Sequence, residues 1–294
     1  MAPIQKIAFV ANTSWSIYKF RLFLLEALIK KGIEVYVLAP RDSYTARFEN
    51  IPGLTFIELR HYKAKSISPL QDILLRRELT SRYRAIKPSL VFHYTIKANV
   101  FGSMAAHRAR IPSVSVVTGL GYTFSSNGWL RRVASALYRR AWRHQSDVWV
   151  LNEDDRDLLI SERLAQPQQV SVLPGEGVDP SAFFPAPYDP AATRPVTFLF
   201  VGRMIRSKGI EEYVNAAHLL RDQGVPVRCQ VLGFFDNNPA AVPGGLLEKW
   251  SRDGVVAWLG HTDDVAAYIE KADCIVLPSY REGMPLSLLE AASM

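Results

Sequence analysis

The chain has 294 residues, 48% of them apolar, and carries 35 Lys/Arg against 28 Asp/Glu for a net charge of +7. That length supports two domains with substantial cores. No apolar run approaches the ~18–20 residues of a membrane span and none near the start suits a signal peptide, so the expectation is a cytoplasmic protein that need not float free.

Strand and helix signals alternate from the start, which argues for βα units around parallel sheets. IQKIAFVAN (4–12) reads as a strand, YKFRLFLLEALIKKG (18–32) as a helix closed by Gly32, and IEVYVLAP (33–40) as a second strand. LTFIEL (54–59) is a weaker strand, and residues 68–88 form a helix that Pro88 ends. SLVFHYT (89–95) and IPSVSVVTG (111–119) read as buried strands flanking a helix at 98–110. Next comes WLRRVASALYRRAWRH (129–144), a helix-period stretch in which five arginines interleave with Trp129, Val133, Leu137 and Trp142. Such a mixture suits an anionic membrane surface, or equally a helix docked on its own sheet with its arginines in water. Nucleic acid fits poorly, because no compact recognition motif accompanies the charge. VWVLN (148–152) and a helix at 153–164 complete a doubly wound domain over residues 1–173.

Six prolines between Pro174 and Pro195 prevent regular structure, so 174–195 reads as a linker. Alternation restarts with VTFLFVG (196–202), a helix at about 208–223, VRCQVLG (227–233), a helix near 244–252, VVAWLG (255–260), a helix at 263–271 and the strand ADCIVLPS (272–279). Cys229 and Cys274 lie in these apolar runs and read as buried reduced thiols. Four strands are visible in 196–294 where a doubly wound sheet has about six, so the second domain is expected to be incomplete and the chain a fragment. Charge divides with the domains: residues 1–190 hold 25 Lys/Arg against 16 Asp/Glu, and 191–294 hold 10 against 12.

Two motifs carry the chemistry. In REGMPLSLLE, Glu282 and Glu290 bracket a helix opened by Pro285, at the carboxyl edge of the sheet where ligands of open α/β folds bind. The N–H groups of Leu286 and Ser287 are expected to face a phosphate there. Eight helical residues cover ~12 Å, beyond the ~5–9.5 Å of a glycosidase carboxylate pair, so the two Glu read as grips on one long ligand. In VGRMIRSKGIEEY, Gly202 lets a ligand approach the backbone while Arg203 and Lys208 flank a turn into a helix, which makes a diphosphate site.

Together these segments resemble the retaining family 4 glycosyltransferases of the GT-B fold, two Rossmann-like domains. The resemblance implies that Glu282 contacts donor-sugar hydroxyls, Glu290 the ribose, and Arg203 and Lys208 the nucleotide diphosphate. It also implies that this pairing replaces a divalent metal, so no metal or other cofactor is expected, and the chain is read as lacking an Asp-x-Asp metal motif. Gly233 and the backbone near His261 would border the base, and Gly283 completes the donor set; the side chain of His261 reads as a turn residue, with Asp263 or Asp264 capping the next helix. No Gly-x-Gly-x-x-Gly dinucleotide fingerprint is present.

ANTSWSIYKFRLFLLEAL (11–28), HYTIKANVFGSMAA (93–106) and VTGLGYTF (117–124) resemble a narrower branch that extends saccharides on undecaprenyl diphosphate. Tyr18, Arg21, Thr95, Lys97, Gly119 and Gly121 are the expected acceptor-side residues. Many members carry a His in the loop that here reads Thr118-Gly119-Leu120-Gly121; His93 is the substitute by position, although a His after a buried strand also reads as structural. The expected activity is retaining transfer of a hexose or N-acetylhexosamine from a nucleotide donor, a UDP-sugar, to a lipid-linked saccharide at the cytoplasmic membrane face. The alternatives are a nucleotide-sugar 2-epimerase of the same fold and an inactive truncated remnant.

Overall fold

Short β-branched runs such as KIAFV and SVSVV, each followed by a helix, leave the chain one economical arrangement: parallel strands buried on both faces. The computed structural model describes residues 4–64, 66, 68–119, 128–143, 147–185, 194–235 and 240–294. It divides into two units, Met1–Glu176 and Gly177–Met294.

The first unit holds β1 (Lys6–Val10), α1 (Ser14–Lys30), β2 (Glu34–Ala39), α2 (Thr45–Phe48), β3 (Leu54–Glu58), α3 (Pro69–Ile86) and β4 (Leu90–Tyr94). A π-helical turn, Ala98–Gly102, leads into α4 (Ser103–Ala109), and then come β5 (Ser113–Val117), α5 (Trp129–Trp142), β6 (Asp147–Val150), α6 (Glu153–Ser161) and β7 (Val170–Val172). All strands are parallel in the order β3-β2-β1-β4-β5-β6-β7. The order reverses between β1 and β4, the switch point at which doubly wound sheets bind ligands. Strand periodicity sorts the core: Ala8 and Val10 join Leu75, Leu79 and Tyr83 of α3 on one face, while Ile7 and Phe9 join Ile17 and Leu25 of α1 on the other. β7, whose VSV run sits next to the prolines, and the four-residue α2 are additions to the expected elements.

The second unit holds β8 (Val196–Val201), α7 (Ile210–Asp222), β9 (Val227–Leu232), α8 (Gly244–Arg252), β10 (Ala257–Trp258), α9 (Ala266–Ile269), β11 (Cys274–Ile275) and α10 (Leu286–Ser293). Its parallel sheet runs β10-β9-β8-β11, with the switch between β8 and β11. Arg194 clasps Asp273 through two 2.6 Å bonds and Asp273 accepts from the Thr197 amide at 2.8 Å, which ties the entry of β8 to that of β11. The expected buried strand over 272–279 is corrected: only Cys274–Ile275 pairs, and it does so as the edge strand of this sheet. An edge strand has one covered flank, and Cys274 is exposed; Cys229, on the interior strand β9, is half-buried rather than sealed in the core.

His93 is corrected as well. It has no accessible surface. Its Nε2 meets the Tyr83 hydroxyl at 2.9 Å, and Gly102 packs so closely that an added Cβ would lie 2.4 Å from the imidazole Cδ2. An imidazole enclosed in this way serves the core and reaches no acceptor. Burial pushes its pKa down to about 3, against about 6.5 in an unfolded chain. Below pH 6.5 the unfolded chain takes up a proton that the folded interior refuses, so stability is complete above that pH and is lost as the pH falls toward 3. Between pH 7.5 and 5 this group should cost about 2 kcal/mol, measured by urea unfolding. His93→Gln should show an acid slope shallower by that amount. Equal slopes in the two proteins would remove His93 as the source.

Candidate functional site

The second unit brings its chemistry together at the β8/β11 switch point, and glycines make the approach possible. Gly202 continues the ladder past β8 by donating to the Leu232 carbonyl at 3.0 Å. Gly233, at the end of β9 with φ +152°, sits so near that an added Cβ would be 1.8 Å from the Gly202 carbonyl oxygen. The chain then turns through a 3₁₀ segment, Arg206–Lys208, to Gly209 at φ +74°. A Cβ on Gly209 would lie 2.0 Å from the Pro278 carbonyl oxygen. Tyr280 donates its amide to the Ser207 carbonyl at 3.0 Å, so the segment after β8 and the segment after β11 run side by side.

That contact carries Lys208 to Glu282. The ammonium is paired with Glu282 Oε1, and the Ser279 hydroxyl donates to the same oxygen at 2.6 Å. Both side chains of the pair are about four-fifths covered, at 20% and 21% exposure, where a charge pair is held more firmly than on an open surface. Arg203 stands exposed on the turn after Gly202. One expectation changes: α10 begins only at Leu286, so Glu282 and Gly283 lie in the preceding loop and the ~12 Å helical spacing to Glu290 does not apply. Leu286, Ser287 and Glu290 do share α10, which starts behind Pro285 without a side-chain cap. His261 packs edge-on to Phe234, with ring centroids 5.2 Å apart, and Asp264, just before the N-cap Val265 of α9, accepts from the Ala267 amide at 3.2 Å.

The acceptor-side residues of the first unit divide into two groups. Thr95 follows β4 at the other switch point with φ +71°, a strained conformation for a β-branched residue, and its hydroxyl bonds to Tyr62 at 3.1 Å. Lys97, close by, pairs with Asp72 at 2.7 Å. Gly119 is exposed at the end of β5 with φ +147°; Gly121 lies outside the described residues. Arg21 is corrected: it is 5% exposed, lies 3.8 Å over the Tyr94 ring and is paired with Glu176. It belongs to the inward stripe Ser14, Ile17, Arg21 and Leu25 of α1, so a helical face aims it at the sheet. Tyr18 packs its ring against Tyr44 and Phe48. Ser279, Tyr62, Asp72 and Glu176 went unread in the sequence; only Ser279, at the end of the CIVLPS run, carried a local signal.

Among the described residues no group of three or more His, Cys, Asp or Glu is placed to hold a metal ion. The expected lack of an Asp-x-Asp motif is corrected: the sequence contains one such spacing, Asp155-Arg156-Asp157 on α6, where Asp155 is 1% exposed. No described helix is long and apolar enough to cross a membrane.

The family model described as glycosyl transferase 4-like domain matches residues 22–176, and the model for glycosyl transferases group 1 matches residues 195–294. The chain belongs to the family 4 glycosyltransferases. This family 4 protein is 27% identical to the N,N'-diacetylbacillosaminyl-diphospho-undecaprenol alpha-1,3-N-acetylgalactosaminyltransferase of Campylobacter jejuni, over 98% of the chain and 78% of the relative. It is 26% identical to the UDP-Gal:alpha-D-GlcNAc-diphosphoundecaprenol alpha-1,3-galactosyltransferase of Escherichia coli, over 78% of the chain and 62% of that relative. Among solved structures, Anabaena HepE in complex with UDP and glucose matches with a TM-score of 0.73 at 18% identity, covering 98% of this chain and 78% of that one. The fold is GT-B. Both named relatives are transferases, and neither favours the 2-epimerase alternative.

The glycine contacts give a test of how the second unit is built. Gly209→Ala places a methyl against the Pro278 carbonyl and forces a side chain onto φ +74°. It should destabilise the protein by about 2 kcal/mol or more, seen as a lowered urea midpoint. Gly245→Ala, where a Cβ meets nothing within 4 Å, should not. Equal midpoints in Gly209→Ala and the parent would show that the two segments are not held in contact.

Proposed function

We propose that this glycosyltransferase moves a hexose or N-acetylhexosamine, with retention at the anomeric carbon, from a UDP-sugar to a lipid-linked saccharide in polysaccharide or glycan assembly. The acceptor places it peripherally at the cytoplasmic face of the inner membrane. The observation that carries the reading is the meeting of Lys208 with Glu282 at the β8/β11 switch point. The choice of lipid-diphosphate acceptor leans on the named activities of the two relatives, and the choice of UDP on the name of the E. coli enzyme and the ligand of HepE.

In this mechanism the bond between the anomeric carbon and the diphosphate oxygen breaks while an acceptor hydroxyl oxygen bonds to the same face of that carbon. The hydroxyl proton leaves with the departing diphosphate. Charge grows on the diphosphate as the bond breaks, and the Arg203 guanidinium and Lys208 ammonium supply the fixed positive field that lowers its energy. Glu282 accepts hydrogen bonds from the sugar hydroxyls, Glu290 from the ribose, and Ser279 keeps the Glu282 carboxylate in place. No protein nucleophile is assigned. In the ligand-free chain Lys208 and Glu282 neutralise one another, so an entering diphosphate draws Lys208 away and frees a Glu282 oxygen for the sugar. The two cations take the part a divalent metal plays elsewhere.

UDP binding measured by calorimetry in excess EDTA should therefore persist. Lys208→Ala should weaken it at least tenfold, the loss of a charge-assisted contact of about 1.5–3 kcal/mol. Strict dependence on magnesium, or unchanged affinity in the variant, would overturn the diphosphate assignment. Transfer from an α-linked UDP-sugar to an undecaprenyl-diphosphate saccharide should give an α-linked product by NMR, and a β-linked product would overturn retention.

A further inference from the structure

The arginines of α5 fall into two sets. Arg131 pairs with Glu162 at 2.7 Å and Arg139 donates to the Glu162 carbonyl at 3.2 Å, so these two fasten α5 to the end of α6. The inner face of α5 is docked as well: Tyr138, Ala141 and Trp142 are buried, and the Trp142 indole donates to Ser115 at 3.0 Å. What remains is an outward stripe. At 3.6 residues per turn, positions 129, 132, 133, 136, 140 and 143 share a sector of roughly 100° along ~21 Å of helix. The stripe presents Trp129 at 67% exposure, Val133 at 48%, and the exposed Arg132, Arg140 and Arg143. No ion pair among the described residues involves those three arginines.

Beside the stripe lie two open cavities that share Arg139. One, about 270 Å³, is lined by Arg131, Arg132 and Ser135; the other, about 480 Å³, sets Arg143 and Arg163 against apolar walls from Trp142 and Leu164. Glu162 is the one acidic residue lining either. A surface that mixes exposed guanidinium groups with an exposed indole, beside basic pockets with apolar walls, matches an interface that is anionic outside and hydrocarbon within. A partner offering negative charge alone would leave Trp129 and Val133 uncovered.

We infer that the outward stripe of α5 and the cavities beside it form a docking surface for a bilayer of anionic phospholipid. The arginines hold head-group phosphates while Trp129 and Val133 enter the interfacial layer. The inference extends the proposed function, since a lipid-linked acceptor is met at a bilayer, but it stands on this helix and not on the donor site.

The test is co-sedimentation with vesicles of phosphatidylglycerol and phosphatidylcholine (three parts to seven), with pure phosphatidylcholine as reference. The parent should bind the anionic vesicles and not the neutral ones. Each basic residue near such a surface contributes about fivefold in partitioning, so Arg132→Glu/Arg140→Glu/Arg143→Glu should weaken binding by about a hundredfold or more. The charge-matched Arg77→Glu/Arg82→Glu/Arg108→Glu, on α3 and α4, should weaken it far less. Arg132→Gln/Arg140→Gln/Arg143→Gln guards against a fold defect and should also lose binding, with an unchanged melting curve. Equal losses in the stripe and control variants, no binding by the parent, or equal binding to neutral vesicles would each overturn the inference. Transfer to a short-chain, water-soluble prenyl-diphosphate saccharide separates the two readings. The stripe variants should keep it; absent transfer by a parent that binds vesicles would count against the function and leave the surface standing.

Discussion

The packing of Gly209 against the Pro278 carbonyl fixes the distance between the segments that leave β8 and β11. Any side chain at 209 would hold them apart, and Lys208 and Glu282 would then address different regions of solvent. With it absent, a cation from the segment after β8 and a carboxylate from the segment after β11 share one place, and Ser279 secures the carboxylate. Gly233 does the same on the other flank, letting the end of β9 lie against the Gly202 backbone. Parallel pairing sends every strand out at the same edge, and the reversal of strand order between β8 and β11 opens the crevice there. The glycines make that crevice narrow enough for two opposite charges to meet.

The first unit handles its polar residues differently. Around β4 and β5, the Tyr83 hydroxyl bonds to His93, Ser103 to Ser115, and the Trp142 indole to Ser115, so these five side chains are partnered among themselves. Enclosure disfavours the charged imidazole, which holds it neutral. Arg21 is likewise turned inward, its charge met by Glu176 and its plane by the Tyr94 ring. Glu176 is the last residue of the first unit, so this pair anchors the point where the chain leaves it. Strain gathers instead at Thr95, beside the Lys97–Asp72 pair at the carboxyl edge of β4, where an open site rather than a core is expected.

Charge on α5 follows from packing rather than from composition. Five arginines in a fifteen-residue run look alike in one dimension. Docking of Tyr138 and Trp142 sets the rotation of the helix, which brings Arg131 and Arg139 to Glu162 and leaves Arg132, Arg140 and Arg143 outward with Trp129. The excess of positive charge in residues 1–190 is therefore partly spent on internal pairs and partly presented on one stripe.

What the sequence determined by itself was whatever depends on neighbours along the chain: the βα alternation, the proline-rich stretch from Pro174, the glycines at strand ends, and the Gly-Arg, Lys and paired-Glu segments. Hydrophobic periodicity and turn chemistry are local, so they survive reading in one dimension. The inward aim of Arg21, four residues from both Ile17 and Leu25, was a local signal that the acceptor-side expectation passed over. The tertiary structure alone decided which groups meet across long separations. Lys208 and Glu282, 74 residues apart, are joined by a sheet order that no local pattern encodes. The enclosure of His93 required α3 and the π-turn to close over it, the exposure of Cys274 required β11 to lie at an edge, and the short β11 and late α10 required the 278–282 loop to be held by α7's approach. These outcomes depend on contacts between elements, and such contacts are set by how the sheet is ordered, not by the residues on either side.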